Sequence, residues 1–107
     1  MQHEIKPPVT RIGKTHTYGI GAHAIHITVN RREDGYPYEI FGHADAASGL
    51  QGHLDRCCTM ISLGLQGRAT PETVARHLRY DRTEPCGGVG QPTSIYDAIG
   101  RAIMGDG

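Results

Sequence analysis

The sequence predicts an α+β domain: a small antiparallel sheet of two to three strands, followed by three helices packed on one face. Three observations predict it. Across residues 22–30, Ile25, Ile27 and Val29 alternate with His26, Thr28 and Asn30, which is the period of a half-buried strand. Beyond residue 48 the apolar positions Leu50, Leu54, Cys57, Cys58, Ile61 and Leu65 fall at helical spacing. Strands first and helices afterwards is the order of α+β rather than of alternating α/β architecture.

Residues 1–13, with Pro7-Pro8, read as a flexible or surface-draped arm, and residues 14–107 as a single domain. Thr15–Ile20 supplies a strand that widens the sheet, and Ala22–Asn30 the central one. Arg31-Arg32-Glu33-Asp34-Gly35 turns the chain, with Gly35 free to take positive φ, and Tyr36–Gly42 returns as the partner strand. Ser48 and Gln51 make a capping-box pattern ahead of the first helix, which Gly67 is placed to stop in a left-handed conformation. Thr70-Pro71-Glu72 opens a second helix with a cap, a proline and an acid, and Val74 and Leu78 face inward. A loop from Tyr80 to Pro92 leads to the third, where Ser94 caps, Asp97 closes the box, and Ile95, Ile99 and Ile103 form the apolar stripe.

Composition narrows the function classes. At 107 residues the chain is one small domain that buries about 65% of its unfolded surface. Eleven basic and eleven acidic residues balance, so the long-range attraction of a dedicated nucleic-acid binder is missing and self-association into a homo-oligomer is favoured. Only Lys6 and Lys14 among the basic residues are lysines; the arginines suit carboxylate and phosphate, though genomic base composition gives the same bias. Three cysteines, two of them adjacent, make no disulfide framework and fit reduced thiols in a cytoplasm. The first residues do not read as a signal peptide, and no run reaches membrane-spanning length.

The segment Cys86-Gly87, followed by Thr93-Ser94-Ile95-Tyr96-Asp97-Ala98-Ile99, resembles the TSCPD domain, named for a Thr-Ser-Cys-Pro-Asp signature. Such domains occur at the C-terminus of adenosylcobalamin-dependent ribonucleotide reductases and as short stand-alone proteins. Residues 21–30 resemble the family's first long strand, Asp34–Phe41 its Asp-Gly turn and second strand, and Ile61-Ser62-Leu63-Gly64-Leu65 part of its long helix. The resemblance covers most of residues 14–104. Where the signature has Cys-Pro this chain has Ile95-Tyr96, and Gly19-Ile20-Gly21 and Gly42-His43-Ala44 stand where members often carry further cysteines. Only Cys86 matches, so a metal or redox role of the family's cysteines does not carry over. The reductase's radical chemistry belongs to a separate barrel, so the resemblance implies no reductase activity.

The residues bear on several other chemistries. Gly19-Ile20-Gly21-Ala22-His23-Ala24 formally fits a dinucleotide fingerprint, but a β-branched strand follows where a helix is required. His53 and Cys57 share a helical face and Cys86 could join them, yet a closed zinc site wants four ligands, and His23 and His26 fall on opposite faces of a strand. A thiol site would centre on Cys86, with His43 or His77 as its base. No catalytic constellation, cofactor or resident metal emerges.

Anion binding is better supported. Two helix starts carry small residues and amides, and Arg79 and Arg82 flank the second. Plain capping and turn-making select the same residues, so both readings stand. The expectation is a non-enzymatic module that captures a phosphate-bearing nucleotide or nucleotide-derived signal, with sequestration as one mode of action. Arg79, Arg82, Cys86, Gly87, Gly88, Gly90, Gln91, Thr93 and Ser94 would hold it, with His43, Ser48 and Gly49 as a second wall. The alternatives are an accessory domain docking on a ribonucleotide reductase, and a thiol or zinc site at Cys86.

Overall fold

Ile25, Ile27 and Val29 are fully buried, and the strand that carries them, β2 (His23–Arg31), is the middle of a three-stranded antiparallel sheet. β1 (Gly13–Ile20) and β3 (Pro37–Ala44) flank it. The computed structural model describes residues 11–105. Gly21-Ala22 joins β1 to β2, with Ile20 paired to His23 and Gly21 at φ 61°. Glycine at the first central position is what a tight type II′ hairpin requires, and this accounts for Gly21 of the fingerprint-like run. Gly35 takes positive φ at the second turn, as expected. Just ahead of β1, Arg31 N–H donates to the Ile12 carbonyl and Arg11 Nε donates to Glu39 Oε1 at 2.6 Å. The remainder of the expected arm, residues 1–10, lies outside the described residues.

Three helices follow: α1 (Gln51–Gln66), α2 (Pro71–Leu78) and α3 (Ile95–Ile103). All pack on one side of the sheet, α1 against β3, α3 across β2 and β1, and α2 against α3. Leu54, Cys58 and Leu65 of α1 meet Ile95, Ile99 and Ile103 of α3 in one core with Tyr18, Ile20 and Ile40. Each such side chain contributes about 2 kcal/mol by leaving water. The eight residues of α2 are too few to hold a helix alone, and Val74, Ala75 and Leu78 anchor it to the core.

Expected caps are corrected: Thr70 stands at the N-cap of α2 without a side-chain hydrogen bond into it, and Asp97 accepts from Thr93 N–H rather than closing a box on Ser94 N–H. The Ser48–Gln51 box does not form; Asp45 caps a short 3-10 turn, Ala46–Ser48, accepting from Ser48 N–H at 2.8 Å, and Gly49 turns the chain at φ 69°. Gln51 is drawn instead to the outer edge of β3, where its amide donates to the Gly42 carbonyl and accepts from Ala44 N–H, both at 2.8 Å. At the end of α1 the left-handed residue is Arg68 (φ 70°), whereas Gly67 sits at φ −80°. Ser62 and Gln66 continue what Gln51 begins: Ser62 Oγ accepts from Ile40 N–H and donates to its carbonyl, and Gln66 donates to the Tyr38 carbonyl. α1 thus covers the hydrogen-bonding edge of β3, which would otherwise invite strand addition.

Candidate functional site

The connection from α2 to α3, residues 79–94, is the longest in the described chain, and loops of this length are uncommon unless they serve a function. Its organising group is Asp97, in the first turn of α3, whose side chain is wholly buried. A carboxylate in that position is costly unless paired and hydrogen-bonded. Oδ1 accepts from Arg79 Nε at 3.0 Å and from Tyr80 N–H at 2.8 Å; Oδ2 accepts from Thr93 N–H at 2.9 Å. Arg101, one turn along α3, holds Nε 3.4 Å from Oδ2 as an ion pair. Burial pushes the carboxyl upward, but the N–H donors of Tyr80 and Thr93, with Arg79 and Arg101, outweigh it and hold Asp97 below the usual carboxylate range.

Asp81 forms a second node. It accepts from Thr83 N–H at 2.9 Å and from the Ser94 hydroxyl at 3.0 Å. The hydrogen bonds from Thr83 are the main reason its carboxyl is also lowered. Thr93 Oγ1 donates to the Asp81 carbonyl at 2.7 Å, and Ser94 Oγ, the cap of α3, accepts from Asp97 N–H at 3.1 Å. Thr93, Ser94 and Asp97 therefore share one task, which is to close the loop on the helix start.

The loop is fastened at its far end as well. Gln91 Oε1 accepts from Gly19 N–H on the edge of β1 at 2.8 Å. Arg101 also reaches the Gln91 carbonyl at 3.3 Å. Gly87 packs so tightly that a Cβ there would lie 2.1 Å from the Pro92 carbonyl oxygen. Between these fastenings the outer rim faces solvent. Arg82, Cys86, Gly88, Val89, Gly90 and Gln91 are exposed. Tyr80, held at φ 63°, is 71% exposed with the Arg79 guanidinium 4.7 Å above its ring.

The residues expected to hold phosphate divide accordingly. Arg79, Thr93 and Ser94 stand together at the start of α3, but the donors given above serve Asp97 and Asp81; the anion at that helix start is the chain's own. Arg82, Gly88 and Gly90 stay on the exposed rim, whereas Gly87 is packed against the Pro92 and Gly19 carbonyls. His43 lies on β3, and Ser48 and Gly49 belong to the turn capped by Asp45. That turn follows the end of β3, two strands across from Gly19 and so roughly 10 Å away along the sheet. Among the described residues, cavities of about 490 and 240 Å³ are lined elsewhere, one around Arg31, Tyr36 and Met104, the other around Phe41, Cys58 and Leu63. Asp97 as the internal anion, Asp81, Arg101 and Tyr80 are the residues that sequence reasoning missed in these roles. The signal for the first was the acid three residues after Ser94.

The thiol and zinc readings find little geometry. Cys86 is exposed and its Sγ–H donates to the Arg82 carbonyl at 3.3 Å. His53 is exposed and Cys57 half-buried, and among the described residues no three His, Cys, Asp or Glu side chains converge for a metal. Burial, then Cys57 and Asp55, pushes the Cys58 thiol up to about 12, the behaviour of an inert core group. Among the described residues no helix is long and apolar enough to cross a membrane.

Fold and site together define a small α+β domain, sheet first and helices after, whose longest loop is locked by a buried carboxylate in a Thr-Ser-x-x-Asp segment. The model of the TSCPD domain family matches residues 2–106. The chain belongs to that family, as the resemblance implied. No curated protein and no solved structure matches it.

Proposed function

We propose that this chain is a non-catalytic recognition module that docks a protein partner through the rim of the 81–93 loop. One observation carries the reading: the loop is fastened at both ends, by Asp97 and by Gln91, while Val89 at its tip is fully exposed. A loop already fastened at both ends, with an exposed apolar residue and an arginine on its rim, loses little freedom on binding a protein surface. Resemblance to the C-terminal domain of a ribonucleotide reductase makes such a reductase the first partner to test.

Arg82, exposed on the same loop as Gly88 and Gly90, favours a second reading, capture of a phosphate-bearing nucleotide at the same rim. Calorimetry separates the two. Heat on mixing with reductase that Val89→Asp abolishes, with flat nucleotide titrations, supports docking. Saturable heat with a mono-, di- or cyclic nucleotide that Arg82→Ala abolishes supports capture and overturns docking as the primary role. Self-association, proposed from the balanced charge, is read from the same preparation by sedimentation.

A further inference from the structure

The sheet face turned away from the helices carries a feature that the loop does not use. His26 and His43 stand directly opposite each other on β2 and β3. Their ring centroids are 6.1 Å apart with 26° between planes. The next strand supplies a partner: Thr17, opposite His26 on β1, places Oγ1 2.9 Å from His26 Nδ1. From these positions we infer that His26 and His43 form an open, two-imidazole site for a late first-row divalent cation such as Zn²⁺, with water completing the coordination.

The chemistry follows from the register. Imidazole nitrogen is a preferred ligand of these ions. Directly paired residues on neighbouring strands have Cβ atoms about 5 Å apart, and two nitrogens sharing one ion at tetrahedral bond lengths lie roughly 3.3 Å apart. His43 is exposed, so rotation of its side chain narrows the present separation without moving a strand. When the Thr17 hydroxyl accepts from Nδ1–H, His26 keeps its Nε2 lone pair for the metal. That is the arrangement by which outer-shell groups fix the tautomer of ligating histidines. His23 does not join, because its Nδ1 is held by Asp45 at 3.1–3.2 Å. With two protein ligands the site is weak and exchangeable rather than structural.

The test is a Zn²⁺ titration of the ¹⁵N-labelled chain, following each imidazole separately by NMR, which keeps binding at cysteines or at other histidines distinct. The His26 and His43 resonances should move together and saturate before those of His16, His53 and His77. His43→Gln should abolish the response at His26, and Thr17→Val should weaken binding by about tenfold. No response of His26 and His43 at millimolar Zn²⁺, or an unaltered His26 response in His43→Gln, overturns the site. Both variants lie on a solvent-facing surface, and their unchanged thermal unfolding without metal verifies that the fold is intact.

Discussion

Asp97 and Arg79 are joined across the start of α3, with Oδ1 of the buried carboxylate accepting from the guanidinium Nε at 3.0 Å and from the neighbouring Tyr80 N–H at 2.8 Å. One oxygen atom thereby fixes both the side chain and the backbone where α2 gives way to the loop. The other oxygen takes Thr93 N–H, where the loop returns. The loop is closed on itself through a single carboxylate. Tyr80's positive φ, unfavourable for a bulky residue, is held in place by the same bond.

Replacing Asp97 with Asn removes the charge that two arginines face and sets an amide NH₂ against N–H donors. Breaking a buried ion pair from one side costs about 3 kcal/mol or more. Urea unfolding should show a loss of this size, and hydrogen exchange should rise first at residues 80–93. An unchanged midpoint would show that Arg79 and Arg101 are satisfied without Asp97.

Acid should act through the same group. Asp97 and Asp81 are both held below their ordinary value, so the folded state binds fewer protons than the unfolded one as pH falls. Their stabilisation is fully present above the unfolded carboxyl value, about pH 4, and is lost as pH drops through the lower folded values. Unfolding free energies across an acidic series should decline steeply for the native chain and less steeply for Asp97→Asn. Parallel curves would assign the acid sensitivity to other carboxylates.

The fold was legible where local periodicity and burial agree. Ile25, Ile27 and Val29 face the core, and Ser94 caps α3 by accepting from Asp97 N–H, as the pattern implied. Legibility failed where a distant group made the stronger demand. Gln51 has the right spacing for Ser48, but the unpaired edge of β3 takes its amide instead. The anion at the start of α3 was half-legible. Glycines, arginines and a serine cap marked a place for negative charge, but only closure of the 79–97 segment shows that Asp97 fills it. The His26–His43 pairing depends on strand register, which residue spacing along one strand does not reveal.

Gly87 and Gly88 separate a packed glycine from a permissive one. A Cβ on Gly87 would meet the Pro92 carbonyl oxygen at 2.1 Å and the Gly19 carbonyl oxygen at 3.2 Å, both backbone, while one on Gly88 meets nothing within 4 Å. Gly87→Ala should therefore lift the loop from β1, costing about 1–3 kcal/mol, with faster exchange at Gly19 N–H. Gly88→Ala should stay within about 0.5 kcal/mol of the native chain. Equal behaviour of the two variants would contradict the close seating of Gly87.

The covered edge of β3 offers the last test. Ser62 is buried, and its hydroxyl serves both backbone groups of Ile40, accepting from N–H at 2.8 Å and donating to the carbonyl at 3.2 Å. Ser62→Ala leaves a buried donor and acceptor without that partner, a loss of about 1–3 kcal/mol, whereas Ser62→Thr keeps the hydroxyl. Adding Gln51→Ala also strips cover from Gly42 and Ala44, so three successive outward positions of β3 lose their side-chain partners. An edge in that state is a template for a second strand. Light scattering should then show the Ser62→Ala/Gln51→Ala chain associating at concentrations where either single variant does not. If the double variant is destabilised but keeps the native association state, the side chains of α1 satisfy the edge without being what guards it, and the body of the helix is the barrier.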